Sequence, residues 1–204
     1  MNAEAIAHLS RADKKLARLI NIVGPCRLVP KTGRAPFQAL VQSVVFQQLN
    51  GKAAETILGR VLALFPGKKF PAPDDLLSTS DEKLRASGLS RNKTAAVKDI
   101  ATKTLAGVVP DSRAIKKLTN EEIIERLTTV RGVGPWTVEM LLMFTLGRED
   151  VLPATDFGVR KGFALTFGLA ELPSPQELLA HGEKWRPHRT TAAWYLWRAV
   201  DLAE

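Results

Sequence analysis

The sequence predicts an all-α fold, built from about nine helices with short connections. Apolar residues recur at three- and four-residue steps along most of the chain, which is the spacing of one helix face. Capping residues, glycines and prolines separate these segments. No convincing run of alternating apolar and polar residues indicates a sheet. The helices are therefore expected to bury their apolar faces against one another.

Length and composition limit the class of protein. The 204 residues suffice for one large domain or two small ones. No apolar run is long enough for a bilayer and the N terminus lacks a signal-peptide core, so we expect a cytosolic or nucleoid-associated protein without a membrane partner. The lone Cys26 excludes an internal disulfide and a cysteine-ligated zinc or iron–sulfur site. The three histidines show no metal-ligand spacing.

The charge balance is basic. Lys plus Arg number 29 and Asp plus Glu number 21, which gives a net charge of +8. A compact protein with such a charge often binds a polyanion, although a solvated basic surface would have the same composition.

The first half of the chain contains two clear apolar helix faces, in the segments 37–49 and 53–65. The segment "FPGKKFPAPDD", with its three prolines, ends the second of them. Short helices are expected at 74–77 and 81–86, followed by a stop at Gly88. The segment "RNKTAAVKDIATKTLAG" predicts a longer helix that ends at its glycine.

Two capping boxes mark helix starts in the second half, Thr119 with Glu122 and Ser174 with Glu177. The segment "WTVEMLLMFTLG" is apolar on most sides, which predicts a buried helix closed by Gly147. The segments "FGVRKGFALTFG" and "RTTAAWYLWRAVDLA" predict two more helices.

The stretch "VRGVGPWT" lies between two of these helices and contains a candidate anion site. Gly132 and Gly134 permit positive φ angles, and Pro135 suits the first position of a helix. Successive N–H groups at such a turn form a concavity that can hold a phosphate without reading a base. Val133 between the glycines can anchor the turn in the core. A plain packing loop would have the same bare Gly-x-Gly pattern.

The segment "LTTVRGVGPWTVEMLLMF" resembles the helix-hairpin-helix element of a DNA glycosylase superfamily, which is named for that hairpin and for a following Gly/Pro-rich loop that ends in aspartate. The matching residues are Leu127, Gly132, Val133, Gly134 and Thr137. The resemblance implies that the hairpin, with Arg131 beside it, binds DNA. It also implies a monovalent cation, Na⁺ or K⁺, on the main-chain carbonyls of Thr128, Val130 and Val133. No other cofactor is expected.

One helix later, "DVLPATDFGVRKGF" places an aspartate, Asp156, at the start of a helix. In isolation this is an ordinary N-cap or first-turn acid. The resemblance implies that Asp156 is the single essential carboxylate, whereas Asp150 is a loop acid. A carboxylate near C1′ would stabilise the oxocarbenium ion that forms when an N-glycosidic bond breaks.

Trp136 stands two residues after the second hairpin glycine, where bifunctional members of the superfamily have a nucleophilic lysine. The resemblance therefore implies a monofunctional glycosylase without lyase activity. Trp136 offers an aromatic face to an extruded base, worth about 1–3 kcal/mol in stacking. Trp197, Phe157 and Met140 complete the expected base pocket, and Trp194 remains an alternative to Trp197; each aromatic residue would also suit a core.

A polar turn before Gly51 resembles the turn that fills the gap left by an extruded nucleotide in the alkylpurine branch of the superfamily. Its residues are Gln47, Gln48, Leu49 and Asn50. A helix C-cap with polar surface residues would have the same composition. Lys93, in "SGLSRNKTAA", is expected to reach a DNA phosphate.

The resemblance covers roughly residues 37–200 and predicts a two-lobed helical glycosylase of the 3-methyladenine DNA glycosylase II branch, in a compact form without an N-terminal α/β domain. One lobe is expected at 35–147, with the helix-hairpin-helix at about 121–146. The other combines 1–34 with 148–204, and a groove between them would hold Asp156 facing Trp136.

The implied function is base excision repair: a monomer that flips N3- or N7-methylated purines out of duplex DNA and hydrolyses their glycosidic bond, in the nucleoid of a bacterium or the nucleus of a eukaryote. A glycosylase for neutral lesions such as hypoxanthine is an alternative. It would need a second acid for the leaving base, for which Glu139 or Glu55 is the candidate. A non-catalytic helix-hairpin-helix module that only binds DNA is another.

Overall fold

The structure is a computed structural model that describes residues 3–203, and within this range it contains twelve α-helices, two 3-10 helices and no strand. The α-helices are α1 Ala3–Ala12, α2 Lys14–Val23, α3 Pro36–Phe46, α4 Gly51–Ala63, α5 Pro73–Ser78, α6 Asp81–Ala86, α7 Arg91–Leu105, α8 Asn120–Leu127, α9 Pro135–Phe144, α10 Phe157–Phe167, α11 Pro175–Gly182 and α12 Arg189–Asp201. The 3-10 helices are Ile115–Lys117 and Glu183–Trp185. The all-α prediction is confirmed, but the expected count of nine helices is too low.

Two compact units divide the chain. Unit 1 combines the described residues up to Thr32 with those from Leu142 onward, and unit 2 is Gly33–Leu141. The second boundary lies inside α9 and not at the Gly147 position expected for the end of the lobe. No helix of residues 3–203 is both long and apolar enough to cross a bilayer.

The core of unit 2 is organised around α7, which packs against α3, α5 and α6. Buried side chains from one face of α7, Val97 and Ile100, lie in the same core as Leu40 and Val44 of α3. Burying a residue of this size is worth roughly 1.5–3 kcal/mol, so this apolar face stabilises both helices.

The core of unit 1 is built on the pair α10 and α12. These helices approach closely at Gly162, because a Cβ there would overlap the backbone carbonyl of Leu196. Tyr195 is fully buried and its hydroxyl donates to the carbonyl of Gly24 at 2.9 Å. Burial raises the pKa of Tyr195 to about 12.

Local signals set several helix starts as predicted. Thr119 accepts a hydrogen bond from the N–H of Glu122, whose carboxylate accepts in turn from the N–H of Thr119. Ser174 and Glu177 form the same reciprocal pair. Each box satisfies two N–H groups that have no partner within the helix.

Asp13 joins three helical segments of unit 1 through one buried carboxylate. It caps α2 by accepting from the N–H groups of Lys15 and Leu16. Its second oxygen lies 2.8 Å from Nε2 of His181 and 2.9 Å from Nζ of Lys184. Burial acts to raise the pKa of Asp13, but the hydrogen bonds from Lys184, His181 and the backbone outweigh it and hold that pKa below its ordinary value.

The close contact at Gly162 predicts a strong effect of a single methyl group. Gly162→Ala should lower the free energy of unfolding by about 3 kcal/mol, because backbone atoms of α12 must move to admit the Cβ. Gly59→Ala is the matched control: Gly59 is an exposed position within α4 with open space around it, and alanine there should stabilise by roughly 0.5–1 kcal/mol. Thermal unfolding followed by circular dichroism measures both; equal effects of the two substitutions would contradict the close packing.

The lowered pKa of Asp13 predicts a pH-dependent contribution to stability. A carboxyl group with a depressed folded-state pKa stabilises above its unfolded value, here 3.8, and this contribution is lost as the pH falls through the folded pKa. Asp13→Asn should therefore melt below wild type at neutral pH, and the difference should narrow as the pH drops below 3.8. Melting curves at several pH values measure this; a difference that stays constant down to acid pH would contradict the ion-pair network.

Candidate functional site

The hairpin between α8 and α9 is fixed by buried valines and by main-chain hydrogen bonds. The N–H of Val130 donates to the carbonyl of Leu127 at 3.1 Å, and the N–H of Val133 donates to the carbonyl of Val130 at 3.1 Å. Val130 and Val133 are both buried. The polar edge of the turn therefore faces outward while its apolar side chains anchor it, as the sequence pattern suggested for Val133.

The two hairpin glycines have different reasons to be glycine. Gly132 has a φ of 76°, and a Cβ there would lie 2.9 Å from Cβ of Ala96 on α7. Gly134 is not among the positive-φ glycines and has open space around it, so only Gly132 uses the backbone freedom that both glycines permit. The missing side chain of Gly134 instead leaves the N–H edge uncovered.

The hairpin N–H groups divide into two sets. The N–H of Arg131 donates to Oδ2 of Asp99 at 2.8 Å, and that of Val133 is used inside the turn. Within residues 3–203, no acceptor is found for the N–H groups of Gly132 and Gly134. These two groups lie directly before the N terminus of α9, which is the arrangement that binds a phosphate oxygen.

The carbonyls proposed for a monovalent cation lie on the same hairpin. Thr128 follows the end of α8, and Thr128, Val130 and Val133 all line the concavity of the turn. Among residues 3–203, the Val130 carbonyl accepts the N–H of Val133 and no second backbone N–H, so one of its two lone pairs remains for a metal ion. Carbonyl oxygens are hard ligands, and this donor set fits an alkali ion better than a transition metal.

The turn between α3 and α4 carries the four residues expected to enter the gap in the duplex. Gln47 ends α3 and Gln48 has a φ of 56°, the left-handed region that side chains other than glycine rarely adopt. Leu49 follows with 39% of its surface exposed. Asn50 caps α4 by accepting from the N–H of Ala53 at 2.9 Å.

Two of the predicted DNA-binding residues hold this turn from within the protein. The Gln47 amide donates to the carbonyl of Gly132 at 3.0 Å and to the hydroxyl of Thr137 at 3.3 Å. The Lys93 ammonium donates to the carbonyls of Val45 and Gln47 at 2.7 and 2.8 Å. In the structure Lys93 is therefore bonded to the end of α3, and the phosphate contact expected from the sequence stays a prediction.

Trp136 lies at the beginning of α9 with 43% of its surface exposed. Together with Met140, one helical turn later, and Thr137 it lines a concavity that also includes Gln48 and Leu49. The structure thus brings two residues of the predicted base pocket beside the turn of residues 47–50, all within unit 2.

Asp156 is the N-cap of α10 in unit 1. Its Oδ1 accepts from the N–H of Val159 at 2.8 Å and from the indole Nε1 of Trp197 at 2.8 Å. The side chain is half-buried. Both the simple capping role and a fixed orientation of the carboxylate are therefore present in the same residue.

Trp197 contacts Asp156 through its indole edge while its ring stacks on Phe144 at 5.9 Å between centroids. Gly158 makes this pairing possible, since a Cβ there would lie 2.9 Å from the Trp197 ring. Phe157, the first residue of α10, is 64% exposed. Trp194 instead packs edge-on against Tyr195 and beneath the Arg198 guanidinium.

Asp150 differs from Asp156 in its partners, as a loop acid would. Its carboxylate accepts from Arg189 Nε at 2.6 Å and from Arg186 Nη1 at 2.6 Å. Burial acts to raise the pKa of Asp150, but hydrogen bonding and charge from these arginines hold it below its ordinary value. Two guanidinium groups therefore neutralise this carboxylate.

The sequence analysis missed three features of the site. They are the hydrogen bond from the Trp197 indole to Asp156, the close approach of the Trp197 ring to Gly158, and the hydrogen bond from the hairpin to Asp99. The glycine two residues after Asp156 was a visible signal for a close approach. The other two contacts join residues 41 and 32 positions apart, and no local pattern marks them.

Comparison with known proteins gives consistent matches. Residues 41–188 match the HhH-GPD superfamily of base excision DNA repair proteins. The chain is 40% identical over 204 residues to DNA-3-methyladenine glycosylase 1 of Schizosaccharomyces pombe, covering 98% of this chain and 89% of that protein.

Solved structures agree with this match. The 3-methyladenine DNA glycosylase Mag1 of Schizosaccharomyces pombe in complex with abasic DNA is similar with a TM-score of 0.86 at 40% identity, covering 98% of each chain. A DNA-3-methyladenine glycosidase from Bacillus halodurans is similar with a TM-score of 0.89 at 36% identity, covering 99% of this chain and 92% of that one.

Proposed function

The chain belongs to the HhH-GPD superfamily of base excision DNA repair proteins, and from that premise we propose that it is a DNA glycosylase that excises alkylated purines from duplex DNA. The observation that carries the proposal is Asp156, a carboxylate held in one orientation at a helix N terminus by Val159 and Trp197. The named relatives support the substrate class, because they are 3-methyladenine glycosylases that this chain matches over nearly its whole length.

The chemistry requires the bond between C1′ of the sugar and the purine nitrogen to break. The bonding electron pair leaves with the base, and positive charge develops at C1′. The Asp156 carboxylate stabilises that charge electrostatically, and a water molecule then attacks C1′ and loses a proton. The products are the free purine and an abasic sugar.

The alkylated purine explains why one carboxylate suffices. A purine methylated at N3 or N7 already carries positive charge, so it leaves as a neutral base without being protonated by the enzyme. A neutral lesion would require a general acid for the leaving group. The aromatic face of Trp136 favours the same substrates, because a cationic base on an indole ring gains a cation–π attraction in addition to stacking.

Trp136 also supports base removal without strand cleavage. Lyase action in this superfamily needs an amine that attacks C1′ and forms a Schiff base. Here an indole stands at the position of that amine. Hydrolysis by water is therefore the proposed outcome.

DNA is held through main-chain groups of unit 2 in this proposal. The N–H groups of Gly132 and Gly134 bind one phosphate, and Arg131 adds positive charge beside them. A monovalent cation on the carbonyls of Thr128, Val130 and Val133 would supply a further charge toward the phosphate. Gln48 and Leu49, which line the concavity beside Trp136, would fill the gap that the extruded nucleotide leaves. Acting on genomic DNA, the protein would work in a nucleoid or a nucleus.

The first test removes the charge of the carboxylate. Asp156→Asn should lower the single-turnover rate of base release by roughly a hundredfold or more, because the developing cation loses its counter-charge. Free base released from methylated duplex DNA is measured by chromatography. Asp150→Asn is the matched control, since Asp150 is paired with two arginines and should affect stability more than the rate.

Wild-type release of methylated purine without a borohydride-trapped adduct supports a monofunctional glycosylase. An Asp156→Asn protein that released base at the wild-type rate would overturn the mechanism. A wild-type protein that bound the DNA but released no base would indicate a binding module.

The second test removes the hydrogen bond that orients Asp156. Trp197→Phe keeps an aromatic ring against Phe144 but loses the indole N–H, so the release rate should fall about tenfold. Trp194→Phe is the control, because its ring packs on Tyr195. Affinity for a duplex with an abasic site is measured in parallel. Equal rates for the two variants would show that the indole N–H has no part in the reaction.

A further inference from the structure

The turn that carries Gln47, Gln48 and Leu49 is not stable through its own local geometry. Gln48 has a φ of 56°, which costs a residue other than glycine on the order of 1 kcal/mol. The last carbonyls of α3 also have no partners within the helix. Such a turn keeps one conformation only if surrounding groups hold it.

Lys93 supplies that support from the first turn of α7. Its Nζ donates to the carbonyls of Val45 and Gln47 at 2.7 and 2.8 Å, so a positive charge lies at the C-terminal end of α3. Ser90 caps α7 by accepting from the N–H of Lys93, which fixes where this helix begins. The Lys93 side chain is half-buried, and burial lowers its pKa.

The turn of residues 47–50 is also hydrogen-bonded to the hairpin. Gln47, whose carbonyl accepts from Lys93, donates its side-chain amide to the carbonyl of Gly132 and to the hydroxyl of Thr137. A continuous series of hydrogen bonds therefore runs from Lys93 through Gln47 to the segment that presents the phosphate-binding N–H groups.

The same helix contacts the hairpin directly. Ala96 lies where a Cβ at Gly132 would clash, and Asp99 accepts from the N–H of Arg131 at 2.8 Å. Lys93, Ala96 and Asp99 are spaced by three residues, so they lie on nearly one face of α7. One helix face thus holds both the turn and the hairpin.

We propose that Lys93 is a positioning residue for base extrusion: together with Gln47 it fixes the turn of residues 47–50 against the hairpin. The turn, which enters the gap in the duplex, and the hairpin N–H groups, which bind a phosphate, then contact the DNA as one rigid surface. The proposal rests on the proposed function for its substrate. It assigns Lys93 no contact with DNA, which distinguishes it from the phosphate contact expected from the sequence.

Salt dependence separates the two roles of Lys93. Each phosphate neutralised by a cationic side chain contributes about 0.9 to the slope of log affinity against log salt. A positioning residue contributes nothing to that slope, but its removal leaves the turn of residues 47–50 without support. Lys93→Met should therefore leave the slope unchanged and reduce extrusion of the damaged base.

The experiment compares Lys93→Met and Lys93→Arg with Lys98→Met. Lys98 lies on the same helix and pairs with Asp81 on the surface, so it controls for the removal of one positive charge from α7. Affinity for duplexes with and without an abasic site is measured across a salt series. Extrusion is measured by the fluorescence of 2-aminopurine beside the lesion, and excision by single-turnover release.

We expect Lys93→Met to weaken binding to the abasic duplex and to slow extrusion by about tenfold, with undamaged-DNA affinity and the salt slope unchanged. Lys93→Arg should restore most of the loss, because a guanidinium can donate to both carbonyls. Lys98→Met should match wild type in extrusion. A salt slope reduced by about one in Lys93→Met, or extrusion equal to wild type, would overturn the proposal.

A second variant keeps the test decisive if Lys93→Met does not fold. Gln47→Met retains the length of the side chain and the contacts of Lys93, but removes both donors to the hairpin. It should reproduce the slower extrusion, and where both single variants fold, the double variant should be little worse than either. Additive losses would overturn the proposal. Failure of wild type to release base would count against the proposed function alone, since binding and extrusion are measured without catalysis.

Discussion

The candidate site depends on one carboxylate oxygen. Oδ1 of Asp156 accepts from the N–H of Val159, which starts α10, and from the indole of Trp197 on α12. The same two helices form the main packing contact of unit 1, so the core that stabilises the unit also sets the orientation of the carboxylate. Gly158 and Gly162 are the places where α10 comes too close to α12 for any side chain. A carboxylate supported in this way does not need to reorganise if charge develops in front of it.

In unit 2, two irregular segments are likewise held by a helix of the core. Two irregular segments, the 47–50 turn and the hairpin, have to present main-chain and side-chain groups outward while remaining fixed. One face of α7 adds contacts to the local hydrogen bonds of each segment: Lys93 donates to the turn, and Asp99 accepts from the hairpin. A charged side chain suits the end of α3, because several carbonyls there point in one direction and an ammonium group can donate to more than one.

Local signals in the sequence were sufficient to predict much of the fold. The capping boxes at Thr119 and Ser174 were predicted correctly because their donors and acceptors are three residues apart. The site was harder, since its contacts join residues far apart in the chain. Lys93 donates to the carbonyl of Gln47, which lies 46 positions away in the chain, so no local pattern predicts this contact. A lysine in a basic protein is by default assigned to solvent or to a phosphate. The two hairpin glycines show a similar limit: the sequence permits a positive φ at both, and only Gly132 adopts one.

The two interpretations of Asp156 that the sequence left in competition turn out to be compatible. As an N-cap its side chain is aimed at backbone N–H groups, which removes the rotational freedom that a carboxylate on a loop would have. The indole of Trp197 then approaches the same oxygen from another helix and restricts it further. An ordinary capping residue and a positioned catalytic carboxylate differ only in what else reaches the oxygen. The decisive feature is therefore the indole of Trp197, which lies 41 positions along the chain and which a pattern centred on the aspartate cannot contain.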